Sequence, residues 1–212
     1  MRRQMGIRGV ARGLGVVLLV AGLGFLGWVG WQYFGTAITS NQKMDEAENT
    51  LREQWKSSAK TPPSAGTPKA LLRIPKFGAD WDKPVLEGVG NDDLTRGLGH
   101  YPQTQLPGQP GNFALAGHRV THGSPFRNLL DLRKGDQIIV ETADAIYTYE
   151  LDAAARNLTV KPTDNWVLEP VPGKPHTTPT TSIITLTTCQ DLFHSPDRSV
   201  AFGHLVTTTR KP

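Results

Sequence analysis

SIITLTTCQDLFHSPDRSVAFGHLV, residues 182–206, is the stretch on which the fold turns. Its two ends, 182–188 and 199–206, are short, rich in β-branched and aromatic residues and bounded by turn-formers, so each reads as a strand. The polar segment QDLFHSPD between them is a loop, and the pair reads as a hairpin. Outward from it, 112–116, 137–142 and 145–151 have the same strand character. Short helical turns are expected at 91–97, with Asn91 as N-cap, and at 124–132 after Ser124-Pro125. Many short strands with no long amphipathic helix among them predict an all-β domain, a closed or nearly closed β-barrel with short helices.

The front of the chain is different. GLGVVLLVAGLGFLGWVGWQYFG, residues 13–35, carries no formal charge. At about 1.5 Å per residue such a helix crosses a hydrocarbon core roughly 30 Å thick. Trp28, Trp31 and Tyr33 crowd its end, as an interfacial aromatic belt does, and Arg2, Arg3, Arg8 and Arg12 precede it. The expectation is a basic cytoplasmic tail at 1–12, an uncleaved transmembrane helix at 13–35 and everything after it on the outer side. A cleaved signal peptide is the bland alternative, but its apolar run is shorter and ends in small residues.

Of the 42 charged side chains, 23 are basic and 19 acidic, giving a net charge of +4. The four N-terminal arginines account for that excess, so the basic pI reports the tail and excludes no more than it explains. No nucleic-acid surface is expected. Residues 38–56 read as a juxtamembrane helix with Met44, Ala47, Leu51 and Trp55 at helical spacing, taken as a solvated spacer. SSAKTPPSAGTPKA, 57–70, reads as a linker that forms no core, which leaves 71–212 as the working domain.

One cysteine excludes an internal disulfide framework and a multi-cysteine zinc site. Cys189 ends a strand beside a polar loop, where a nucleophile reaches solvent from a rigid base. A small buried hydrophobe is the alternative reading. A thiol nucleophile needs a group to take its proton and return it to the leaving amine. His118 stands at the end of NFALAGHR, another strand running into a loop. His122 and His194 are loop residues held in reserve, His100 and His204 read as surface or partly buried strand ends, and His176 lies in a Pro/Thr loop. Arg198 opens the strand after Cys189 and supplies a donor for an oxyanion. With ordinary pKa values of about 8.5 and about 6.5, thiolate and imidazolium coexist in under about 1% of molecules at pH 7. Either the site shifts those values or it works from a small competent fraction.

AGHR at 116–119, TLTTC at 185–189 and Arg198 together resemble the His, Cys and Arg signature of the sortases, and LRIPKFG at 72–78 is similar to the start of that domain. The stretch GLGHYPQTQLPGQPGNFALAGHR, 97–119, resembles the class E sortases of actinobacteria. The resemblance implies a barrel of about eight strands and a membrane-anchored cysteine transpeptidase of the hydrolase class. It implies Cys189 as nucleophile, His118 as general acid/base and Arg198 as the group that steadies the substrate carbonyl or oxyanion. Tyr101 is implied as a substrate contact associated with preferring LAXTG over LPXTG sorting signals. Thr188 is a further candidate substrate contact. The implied partners are the sorting-signal peptide of secreted proteins and an amine on a cell-wall precursor of lipid II type, with no metal or cofactor. Gln190-Asp191 departs from the His-Pro that often follows the cysteine in class E.

Rival readings are specific. An L,D-transpeptidase carries an HGC-like motif, whereas Thr187-Thr188 precedes Cys189 here. A papain-like peptidase places its Cys before its His. A pilus-polymerising sortase carries an Asp-Pro-aromatic lid, which ADWDKP at 79–84 does not match. A tethered, non-catalytic binding module tolerates loss of the thiol. Trp81 and Trp166 are expected to pack or to line a groove, and Asp92-Asp93 to start a helix and not to bind calcium.

Overall fold

The computed structural model describes residues 7–31, 35–57, 66–189 and 196–211; for Ile7, Arg8, Val10 and Cys189 it describes the backbone alone. The loop residues Gln190, Asp191 and His194, and most of the 57–70 linker, lie outside the described residues.

Among the described residues nine strands share one sheet: β1 (Pro68–Arg73), β2 (Asp82–Glu87), β3 (Leu98–His100), β4 (Gly111–Ala116), β5 (Gln137–Glu141), β6 (Ala145–Leu151), β7 (Thr159–Val160), β8 (Ser182–Cys189) and β9 (Arg198–Arg210). Their order is β6-β5-β1-β2-β3-β4-β8-β9, and β6 pairs again with β9. Eight strands therefore close into a barrel, with the two-residue β7 flanking β9. Closure is the physical answer to unpaired strand edges. Inside lie Leu72, Leu115, Phe126, Val140, Tyr149 and Leu186, all fully buried.

The five expected strands are β4, β5, β6, β8 and β9, with β9 running four residues further than expected. β1 begins at Pro68, inside the stretch read as linker. Proline tolerates the first position of a strand, and Ala70 faces Val85 with both side chains in the core. The helix α3 (Asn91–Arg96) is capped by Gly90 and not by Asn91; the Gly90 N–H donates to Asp93 Oδ2 at 3.1 Å. Residues 124–132 form the expected short turns, one of them the 3₁₀ turn Leu129–Asp131. Their side chains Phe126, Leu129 and Leu132 fill the core.

The helix α1 (Ile7–Gly30) is apolar and exposed along most of its length, and Ala11–Gly30 has mean hydropathy 2.1, enough for a candidate membrane span. The helix α2 (Thr36–Lys56) corrects the spacer reading. Ser40, Met44, Ala47 and Leu51 form one buried stripe along it, seated against β1, β2 and α3. At its rim Arg52 pairs with Glu48 at 2.7 Å and Asp82 at 2.9 Å, and Lys211 Nζ lies 4.1 Å above the Trp55 ring. The periodicity was legible; the surface it docks on is assembled from distant residues.

Candidate active site

Three strands converge on the site. β4 and β8 run parallel, with Ala116 level with Thr187. The Gly117 N–H donates to Thr187 O at 3.1 Å and the Thr188 hydroxyl donates to Gly117 O at 2.8 Å, which extends the pairing past the end of β4. His118 follows two residues beyond the last β4–β8 pair, on the side of the strand end where Cys189 closes β8. β8 and β9 run antiparallel and make Arg198 the cross-strand partner of Cys189. Directly opposed residues of an antiparallel pair lie about 4.5–5.5 Å apart at Cβ. The sheet thus gathers three residues that are 71 and 9 positions apart in the chain.

Close packing fixes the turn into His118. A Cβ on Gly117 would overlap the side chains of Leu98 and Phe126, so a larger residue there would have to displace them. The His118 imidazole is half-buried, and its Nε2 is buried without a hydrogen-bond partner among the described residues. Burial foremost, then His122 and Arg198, push its pKa down to about 4. The ring therefore rests neutral at pH 7. Its neighbour is His122, stacked at 4.7 Å between centroids with planes 30° apart.

On the Arg198 side a cleft of about 170 Å³ is lined by Tyr101, Thr187, Arg198, Val160, Lys161 and Asn165, among others. The Tyr101 hydroxyl lies 3.3 Å from Thr187 Oγ1, so its ring forms part of the cleft wall. The Arg198 guanidinium donates to Pro196 O at 2.7 Å. Thr188 does not reach the cleft: it is 2% exposed and spends its hydroxyl on Gly117. Alternation along β8 turns Thr187 to the cleft, where it is 3% exposed and its hydroxyl donates to Leu115 O at 3.1 Å. The opposite wall, from β7 through the 3₁₀ turn Asn165–Leu168, was missed by sequence reasoning, because two strand residues and a single turn leave no periodic signal. Trp166 and Trp81 pack, against Phe202 and Phe77 respectively.

His100 is a correction. It is 2% exposed, with Nδ1 at 2.8 Å from Glu87 Oε2 and Nε2 at 3.1 Å from Gln105 O. Lys69 also pairs with Glu87. Burial opposes the Glu87 charge, yet the hydrogen bonds from Lys69 and His100 outweigh it and hold the carboxyl below its ordinary range. This network anchors the turn that carries Tyr101. His204 lies half-exposed, its Nδ1 2.7 Å from Asp152 Oδ1, away from the site.

This domain has counterparts among known proteins: a sortase-domain family model matches residues 72–206. The chain belongs to the sortase family. Its relatives include Sortase SrtE1 of Streptomyces coelicolor, 36% identical over 205 residues, covering 92% of this chain and 57% of that protein. The chain thus spans little more than half the length of that relative. Sortase E from Streptomyces avermitilis is a structural neighbour with 40% identity and TM-score 0.62, covering 70% of this chain and 97% of that one. Sortase E1 from Streptomyces coelicolor, solved with a tripeptide in the active site, has 34% identity and TM-score 0.60, covering 71% and 98%. Within the family the likeness is to class E, and the fold is the sortase eight-stranded barrel.

Proposed function

We propose that this sortase cleaves a C-terminal sorting signal between threonine and glycine and transfers the released carbonyl to a cell-wall amine. The observation that supports the reading is the cross-strand pairing of Cys189 with Arg198 at the end of β8, beside the end of β4 from which His118 follows. In the proposed sequence neutral His118 accepts the thiol proton as Cys189 sulfur bonds to the threonine carbonyl carbon. Arg198 steadies the oxyanion. As the C–N bond breaks, His118 returns the proton to the glycine amine and a thioester remains on Cys189. An amine of lipid II type then attacks the thioester and restores the thiol; water in its place gives hydrolysis.

The cleft is the proposed seat of the peptide, consistent with the tripeptide in the active site of the Streptomyces coelicolor relative. Tyr101, at its wall, is the proposed source of a preference for LAXTG over LPXTG. The α1 helix is the proposed single-pass anchor, with the basic tail cytoplasmic and the barrel outside.

The test uses the full chain in detergent with LAXTG and LPXTG reporter peptides, an added amine and a Cys189→Ala control. Mass spectrometry should find cleavage after threonine and an acyl adduct on Cys189 that the control lacks. A folded protein that forms no adduct with either peptide overturns the reading, and equal use of both peptides removes Tyr101 from the specificity argument.

A further inference from the structure

We propose that His122 is a positioning residue for His118, a flat ring that holds the neighbouring imidazole toward the end of β8 and is itself held in place by α2. The inference rests on the reading of His118 as the acid–base of a sortase.

Two independent features of the structure point to it. The first is the stack itself, ring against ring at 4.7 Å and 30°. His118 Nε2 has no hydrogen-bond partner among the described residues, so no carboxylate or carbonyl orients that nitrogen there. A histidine base is ordinarily steadied by such a partner; here a second imidazole covers one face of the ring. The second feature is the backbone beneath His122. His122, Gly123 and Ser124 have φ of 53°, 74° and 49°, three successive residues in the left-handed region, two of them with side chains. Such residues persist only where their surroundings over-determine them. The surroundings are visible. The Phe126 N–H donates to His118 O at 2.9 Å and the Ser124 N–H to Thr121 O at 3.0 Å, closing the loop back on itself. From the other side α2 presses on the turn: a Cβ at Gly123 would overlap Asn41 and touch the methyl of Met44, itself 2% exposed.

The charges that bear on this pair come from three elements. Lys43 of α2 acts on His122, Arg198 of β9 acts on His118, and the two imidazoles act on each other. Thr121 Oγ1 lies 3.0 Å from His122 Nδ1. All four ionisable groups are cationic or become so, and each disfavours a proton on its neighbour. His122 thus does two things through contact with His118: it fixes the ring, and it helps keep that ring unprotonated at rest.

The experiment uses the full chain in detergent and two variants. His122→Phe keeps a flat ring and removes the charge; His122→Ala removes both. The first readout is the single-turnover rate of Cys189 acylation by the reporter peptide. His122→Ala should lower it about tenfold or more, since small misplacements of a catalytic group are costly, and His122→Phe should restore most of the loss. The second readout is the His118 titration, followed by NMR of its ring Cε1–H in a Cys189→Ala background. Its midpoint should rise in both variants as the like-charged neighbour disappears. A midpoint that stays put in His122→Phe, or wild-type acylation by His122→Ala, overturns the proposal. The titration needs no peptide: a protein that forms no thioester but shows the shifted midpoint refutes the sorting-signal reading and, with it, the positioning role, leaving only the contact between the rings, whereas thioester formation with an unshifted midpoint overturns this proposal alone. If His122→Ala loses its near-ultraviolet circular dichroism, His122→Phe decides alone.

Discussion

Leu51→Ala is the substitution that most directly weighs the docking of α2 on the barrel. Leu51 is 1% exposed and lies on the stripe it shares with Met44 and Ala47, facing β1 and β2. Truncating a buried leucine to alanine costs about 2–5 kcal/mol, and the spread reflects how far the site collapses into the cavity. A helix on the outside of a barrel settles more easily than a strand within it, so the lower end, about 2–3 kcal/mol, is expected. With a urea slope of about 2 kcal/mol/M for a domain of this size, the midpoint falls by roughly 1–1.5 M. The assay is a urea titration in detergent followed by tryptophan fluorescence, with Asn49→Ala on the exposed face of the same helix as reference. A surface change of that kind stays within about 0.5 kcal/mol. If Leu51→Ala and Asn49→Ala shift the midpoint equally, α2 is a solvated spacer and the docking argument fails. The same reasoning predicts that a fragment starting at residue 57 is less stable than one starting at residue 36. Burial of Met44 and Leu51 alone contributes about 3–6 kcal/mol, a large share of a total of about 5–15 kcal/mol.

Other expectations are more local. Arg198→Lys should slow thioester formation roughly 100-fold without lowering the melting temperature, because an ammonium does not reproduce the planar fork beside the oxyanion; a wild-type rate removes Arg198 from the chemistry. Glu87→Ala should cost about 3 kcal/mol in urea titrations, since it strands His100, 2% exposed, and Lys69 without their carboxylate; a loss below that of the Asn49→Ala reference argues against the network. Thr188→Val leaves the Gly117 carbonyl without its donor and should destabilise by about 1–2 kcal/mol; no change in midpoint shows that the hydroxyl is dispensable. The His118 pKa is about 4 in the folded chain and about 6.5 in the unfolded one, so the unfolded state binds its proton first. Stability present above about pH 6.5 should therefore decline as pH falls toward 4, and His118→Asn should flatten that decline.

What was legible in the chain follows its physics. β4, β5, β6 and β8 announce themselves by apolar, β-branched runs, and the site residues stand at the ends of two of them. β2 hides because DKPVLE places a proline and three charges in six residues, and its pairing with β1 and β3 is what makes it a strand. The last part of β9 is all threonine and arginine, exposed, so no alternation marks it; β6 draws it into the sheet. The α2 stripe was visible as a period but its partner surface was not, because Asp82, Gly123 and Lys211 come to it from three remote places. Of the candidate site, residue types and spacing were enough to nominate His118, Cys189 and Arg198. That Thr187 and not Thr188 lines the cleft, and the His122 stack, depend on a register and a left-handed turn that composition does not encode.

The thirteen residues of β9 give the molecule a kind of timer. One end of this strand places Arg198 against β8, and its other end zips onto β6, so the same segment completes the site and closes the ring. β4 and β8 are likewise joined only after some seventy residues of intervening chain have been organised. Long-range pairings of this sort are slow to form, since the entropy of closing the loop must be met before contacts repay it. Cys189 and Arg198 lie nine positions apart, but the strand that sets them opposite each other also has to reach β6, so their pairing is tied to closure of the whole ring. Assembly of the candidate site and closure of the barrel are thus one event, not two.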